Sequence, residues 1–283
     1  MTSPGSRWSQ LDRPPLGERA LRAALIRPDS LWTRLDVLES TGSTNVDLIA
    51  AVRAGRAGPG TVLIAEEQTS GRGRLGRTWS APPRSGLFFS VLLQPAPEVP
   101  ADRLTWLPLL AGVATAAAVA RAAGVDTALK WPNDLLVTVD AEERKCGGIL
   151  AERAEGGMVV LGIGLNVSLR ADELPVPGAG SLLLAGAVST DRDPLLRACL
   201  RSLADWYTRW TRAGGDPEAA GLLDTYAAGC ATLGRRVRAE LPGDEELHGT
   251  AEALDGEGRL VIAADDGTRH PLTAADIIHL RAT

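Results

Sequence analysis

The sequence predicts an α+β protein in two parts, a larger unit of interleaved helices and strands followed by a small all-β module. Three observations lead there. The chain has 283 residues, enough for one large domain and one small one. Up to about residue 230, segments with helical apolar spacing alternate with short strand-like runs. From 231 onward every run is short and strand-like, with PGD, DGEG and DDG turns between them. The expected division is an N-terminal extension over 1–33, a main domain over 34–230 and a β module over 231–283.

Taken in order, the polar, Pro-rich start MTSPGSRWSQLDRPP predicts a loose entry without the apolar stretch of a signal peptide. GERALRAALI gives a short amphipathic helix and RLDVLES (34–40) a strand. STNVDLIAAVRAG starts a helix with Ser43 or Thr44 as N-cap and Asp47 in the first turn, where a negative charge suits the helix dipole. TVLIAEE (61–67) is a strand, and a Gly/Arg loop then runs to Gly86. LFFSVLLQP is apolar enough for a buried strand. Residues 102–123 predict the longest helix, capped by Gly124. Its Ala-rich run, 111–123, is broken by Arg121 and too weakly apolar to predict a membrane span. ALKW, LLVTV, KCGGILAER and GMVVLGIGLNVS read as short strands. DPLLRACLRSLADWYTRWTRAG and PEAAGLLDTYAAG read as helices, with Trp206, Tyr207 and Trp210 packing in the core. GRRVRAE, ELHGTAEALD, GRLVIAA, TRHPLTA and DIIHLR then predict a barrel of about five strands. His248, His270 and His279 lie in that module with no zinc spacing, at expected surface or edge positions.

Composition narrows the function. Hydrophobic residues make up 45% and charged residues 23%, a globular balance with enough apolar material for a core. A net charge of −5 argues against a nucleic-acid or anionic-membrane partner. Cys146, Cys199 and Cys230 are odd in number and widely spaced, as expected for reduced thiols in a cytoplasmic protein. Of the 30 Lys+Arg residues only Lys130 and Lys145 are lysine, and Asn45, Asn133 and Asn166 are the only asparagines. In a chain so biased toward Arg, Ala and Gly, these five mark positions where a compact ammonium or a neutral amide is hard to replace.

GRGRLGRTW (71–79) contains G-x-G-x-x-G after a strand. A dinucleotide site would need a helix to begin there and turn its amides toward a pyrophosphate. TWSAPPRSG follows instead, and its prolines forbid that helix. What remains is a glycine loop carrying Arg72, Arg74 and Arg77, expected to be mobile until a polyanion orders it. In KWPNDLL, Pro132 presents Asn133 and Asp134 on a turn close to Lys130. A carboxylate beside a phosphate-binding loop suits a metal, a base or a ribose group. Gly147 and Gly148 in RKCGGIL leave room for a ligand under Lys145, and GIGLNV repeats the small residues before Asn166.

The succession STN, QTSGRGRLGRTW, KWPND, KCGGIL and GIGLNV resembles the biotin–protein ligase family across 43–167. The resemblance implies a mixed β-sheet flanked by helices and a small C-terminal SH3-like β-barrel. It implies biotin contacts from Ser43, Thr44, Asn45, Gln68, Gly71, Arg72, Gly73, Arg74, Lys145 and Gly148. For ATP it implies Arg74, Arg77, Trp79, Lys130, Asn133, Asp134 and Asn166, with Trp79 near the adenine. The catalytic set would be Lys145, Arg72, Arg74 and Asp134. Biotin, ATP and Mg²⁺ would be required, without a ligand set for the metal. The partner would be a biotin carboxyl carrier domain of an acyl-CoA carboxylase, and the enzyme a monomer or weak homodimer. Only about 35 residues precede the first expected strand, too few for the winged helix of bifunctional members, so a type without DNA binding is expected. Lipoate–protein ligase and a non-catalytic biotin or nucleotide sensor are the alternatives.

Overall fold

The computed structural model describes residues 12–241, 245–273 and 275–280. In chain order come α1 (Glu18–Leu25), β1 (Arg34–Leu38), α2 (Thr44–Arg53), β2 (Thr61–Ala65), β3 (Gly71–Arg72), β4 (Thr78–Trp79) and β5 (Gly86–Leu93). There follow α3 (Trp106–Ala123), β6 (Ala128–Lys130), β7 (Asp134–Val139), β8 (Glu142–Arg153), β9 (Val159–Asn166), α4 (Arg192–Arg212) and α5 (Leu222–Gly229). The last part holds β10 (Arg236–Leu241), β11 (Glu245–Leu254), β12 (Leu260–Ala264), β13 (Arg269–Leu272) and β14 (Asp276–His279).

Seven strands form one sheet in the order β1-β2-β5-β9-β8-β7-β6. Only β1 and β2 are parallel, with α2 as their crossover, and the other neighbours are antiparallel. The sheet is therefore mixed and helix-flanked, as expected. Every residue of β5 is buried, because helices cover both faces. On one face Leu87, Phe89, Val91 and Leu93 join the main core with α1, α3, α4 and α5. On the other, Leu92 and Val160 pack under Leu48 and Val52 of α2. Beyond that small cluster the α2 face continues as Ser90, Gly162 and Gly164, residues too small to fill it.

Several elements differ from expectation for identifiable reasons. Residues 101–105 form a 3₁₀ turn after Pro100, so α3 has 18 residues and α4, with 21, is the longest helix. The segment 101–123 is long and apolar enough to cross a membrane, yet it is the core helix between the sheet and α4. Gly221, at φ 67°, delays α5 until Leu222. From residue 12 onward the expected loose entry is bound to the main unit. Arg192 and Glu66, a buried ion pair at 2.6 Å, hold Pro14 O and Leu16 N, each also at 2.6 Å. Leu21 and Leu25 of α1 then enter the core. Residues 1–11 lie outside the described residues. Tyr207 and Trp210 are buried in the core, and the Arg209 guanidinium covers the Trp206 ring at 4.6 Å. Burial pushes the Cys146 and Cys199 thiols up to about 12, which removes their thiolate chemistry.

The last five strands form an antiparallel sheet in the order β13-β12-β11-β10-β14. It is docked by specific contacts. The indole N–H of Trp106 donates to Gly256 O at 2.9 Å, and that of Trp131 donates to Gly258 O at 3.0 Å. Gly258 has φ 75°, and a Cβ there would lie 3.3 Å from the Trp106 ring, so both turn and contact require glycine. Arg235 pairs with Glu143 at 2.6 Å beside His279. Burial, with Lys130 and Arg235 close by, lowers the His279 pKa to about 4, leaving a neutral ring at neutral pH. His248 and His270 are exposed, as expected.

Candidate active site

The space over Gly162, Gly164 and Gly148 opens into a cavity of about 720 Å³. It is walled by the start of α2, the β3–β4 hairpin, the turn after β6 and the 175–179 loop, and closed by β10 and β14. Small floor residues are a requirement. A Cβ at Gly162 would lie 2.1 Å from Asn45 Oδ1, and one at Gly164 would lie 2.9 Å from the Trp79 ring. Trp79 thus lies flush against the sheet at the inner end of the hairpin. A Cβ at Gly148 would meet the same ring at 3.2 Å and Lys145 Nζ at 3.5 Å.

The α2 end is held by a chain of polar contacts. Ser43 sits at the N-cap position without a side-chain capping bond. Gln68 Oε1 supplies the acceptor instead, taking Thr44 N at 2.9 Å and Thr44 Oγ1 at 3.1 Å. Among the described residues no protein acceptor meets the Gln68 amide nitrogen, and Gln68 lines the cavity. The Ser90 hydroxyl lies between Thr44 Oγ1 at 2.7 Å and Asn45 Oδ1 at 2.6 Å. Asn45 Nδ2 donates to Glu152 Oε2 at 2.7 Å. Both ends of the Asn45 amide are therefore bonded to protein, and the residue fixes α2 on β8.

The arginine loop is not formless. Gly71 pairs with Trp79 and Arg72 with Thr78 across β3 and β4, and Gly73 N donates to Arg77 O at 2.7 Å. Leu75 takes φ 54° at the tip and is 74% exposed. Arg74 Nη1 donates to Asn133 Oδ1 at 3.3 Å. Burial lowers the Arg74 pKa, while Asp276 and Asp134 pull it back. Arg77 is ion-paired with Asp276. The Arg72 side chain has no protein partner among the described residues.

Opposite the loop, Asn133 Nδ2 donates to Ile149 O at 2.8 Å, which locks the turn to β8. Lys145 Nζ stands 2.6 Å from Asp134 Oδ1 and 5.7 Å from the Trp79 ring centroid. The carboxylate contact is ionic only: Asp134 Oδ1 is buried without an aligned hydrogen bond. The Lys145 backbone is clamped at 2.8 Å on each side by Gly178 O and Gly180 N. Burial lowers the Lys130 pKa, Asp134 opposing and Lys145 reinforcing that shift. Asn166 Nδ2 holds Gly180 O at 2.9 Å, while its Oδ1 is buried and unpartnered.

All the expected site residues except Gly71 line the cavity, and Gly71 sits behind it in the hairpin. Sequence reasoning missed Ser90, Glu152, the 175–179 loop and Asp276. A trace of Ser90 was visible as the one polar residue in LFFSVLL; nothing local marked the others. The DDG turn of the β module does not supply the charge that faces these arginines. Asp265 pairs with Arg236 and Asp266 bonds Thr268, both within the module, and residues 242–244 lie outside the described residues. The carboxylate that reaches the arginines is Asp276, on β14. No cluster of three metal-ligating side chains occurs among the described residues. Asp134 lines the cavity beside the cationic side chains, and its carboxylate is the hard oxygen donor there that would hold a magnesium ion.

The Biotin/lipoate A/B protein ligase family matches residues 37–167, and the Biotin protein ligase C terminal domain matches 232–280. A biotin–[acetyl-CoA-carboxylase] ligase of Mycobacterium tuberculosis is 43% identical over 272 residues, 95% of this chain and 97% of that one. Among solved structures, a biotin protein ligase from Aquifex aeolicus in complex with biotin and ATP superposes with a TM-score of 0.72 at 25% identity. That match covers 88% of this chain and all of the other. One from Leishmania major in complex with biotinyl-5-AMP gives 0.56 at 27% identity, over 86% and 99% of the two chains.

Proposed function

Because the chain belongs to the biotin protein ligase family, we propose that it condenses biotin with ATP and passes the activated biotin to a protein lysine. One observation carries the reading: a single cavity joins a floor of small residues to five cationic side chains, Arg72, Arg74, Arg77, Lys130 and Lys145. That arrangement suits two anions that must be brought together against their own repulsion. Thr44, Gln68 and the glycine floor suit the neutral ring system of biotin. The arginine loop, Lys130 and Asn133 suit a nucleotide.

In the first step a biotin carboxylate oxygen attacks the α-phosphorus of ATP. The bond from that phosphorus to the bridging oxygen breaks, and pyrophosphate leaves. Lys145 neutralises the oxygens that converge there, and its compact ammonium can follow charge from the carboxylate to the new anhydride. Magnesium held by Asp134 would supply further neutralisation of the phosphates. In the second step a neutral acceptor amine attacks the acyl carbonyl, AMP departs and the amine's extra proton goes to solvent. The Trp79 side of the hairpin covers the anhydride and limits hydrolysis.

The acceptor, on this reading, is a biotin carboxyl carrier domain of an acyl-CoA carboxylase, in the cytoplasm where the three thiols stay reduced. The enzyme, on this reading, is a monomer or weak homodimer. The test is transfer from biotin, ATP and magnesium to an isolated carrier domain, with lipoate as competitor. The expected outcome is one biotin on the acceptor lysine, undiminished by equimolar lipoate. Preferential transfer of lipoate would contradict the assignment of biotin, and ligand binding without transfer would contradict ligase activity.

A further inference from the structure

The hairpin that carries the three arginines has little of its own to hold it. Each strand has two residues, the tip residue Leu75 is exposed at positive φ, and three guanidiniums within six residues repel one another. Beyond the hairpin, Arg74 has a long 3.3 Å bond to Asn133, and Arg77 has the ion pair with Asp276. Asp276 opens β14, the edge strand beside β10, at the register position of Glu240. Its carboxylate is only 23% exposed and also acts on Arg74 and Lys130. The two tryptophan bonds and the Arg235–Glu143 pair fix the sheet that carries it.

We propose that Asp276 is a positioning residue for the nucleotide step: a strut from the C-terminal sheet that holds Arg77, and with it the arginine hairpin, closed over the cavity. The inference rests on the function proposed above and adds a residue that local sequence did not mark. Arg77 gives one Nη2 to Asp276, which leaves Nη1 and Nε for a phosphate. The carboxylate therefore orients the guanidinium without using all of it. A phosphate-binding loop that is already closed need not be ordered by ATP, so the strut should act mainly on ATP affinity.

The test uses the full chain with Asp276→Asn, Asp276→Glu, Arg77→Gln and the Asp276→Asn/Arg77→Gln double variant. Chymotryptic cleavage after Leu75, measured without substrates, reports loop opening without relying on activity. Asp276→Asn should raise that cleavage rate and the KM for ATP by about fivefold each, the scale of a partly exposed ion pair. The effect on KM for biotin and on kcat should be smaller, and Asp276→Glu should restore both main readouts. In the Arg77→Gln background, Asp276→Asn should have a clearly smaller effect, limited to its weaker action on Arg74 and Lys130. Wild-type cleavage and KM in Asp276→Asn would overturn the proposal, as would effects that multiply in the double variant or a failure of glutamate to rescue. If the wild type makes no adenylate, the ligase reading fails, while the cleavage comparison still decides whether Asp276 holds the loop.

Discussion

Lys145→Arg should slow adenylate formation by about 2–4 kcal/mol in barrier, on the order of 30- to 1,000-fold, the range for losing one preorganised transition-state donor. The ammonium fits between Asp134 at 2.6 Å, the Trp79 ring and the Gly148 backbone. A guanidinium is wider and planar, and its fixed fork follows moving charge less well than a compact ammonium. The fold should survive, because the side chain is 38% exposed and the backbone clamp from Gly178 and Gly180 does not depend on it. Single-turnover adenylate formation alongside thermal melting separates the two effects. A variant with near wild-type rate would mean that Lys145 does not neutralise the reacting oxygens, and a large fall in melting temperature would mean that the residue is structural.

Truncation after Gly229 has the other large effect. It removes β10 to β14 and uncovers Trp106 and Trp131, which are now 0% and 2% exposed. Both indole N–H groups lose their carbonyl partners. Exposing two aromatic side chains at ~25 cal/mol per Å² costs on the order of 5 kcal/mol, comparable to the whole stability of a domain. The fragment should aggregate or melt more than about 10 °C lower. Any folded fraction, having lost Asp276, should bind ATP more weakly. A fragment that is stable and fully active would overturn both the docking account and the strut.

The chemistry was legible in sequence because it comes in short strings whose residue types are hard to substitute. Both lysines and all three asparagines line the cavity, as their rarity in an arginine-rich chain implied. The glycines of GIGLNV and KCGGIL marked the close approach of Asn45 and Trp79 to the sheet. Less visible was the division of labour among the amides. Asn45 is bonded to protein at both ends, and Asn166 uses its nitrogen on Gly180 and leaves its oxygen buried without a partner. Such choices depend on which groups lie across the sheet, 105 or more residues away for the β8 partners of Asn45. The hairpin's order was hidden because two-residue strands leave no periodicity to read. Asp276 was hidden for a different reason: its partner, Arg77, lies 199 residues earlier, and only docking of the two sheets brings them together.

If this cavity joins biotin to the α-phosphate of ATP, the adenylate must form without any acceptor present. The purified full chain, given biotin, ATP and magnesium without any acceptor, should yield biotinyl-5′-AMP by mass spectrometry, with one pyrophosphate released per adenylate formed. ADP and phosphate in place of AMP chemistry, or bound biotin and ATP that remain unreacted, would contradict it.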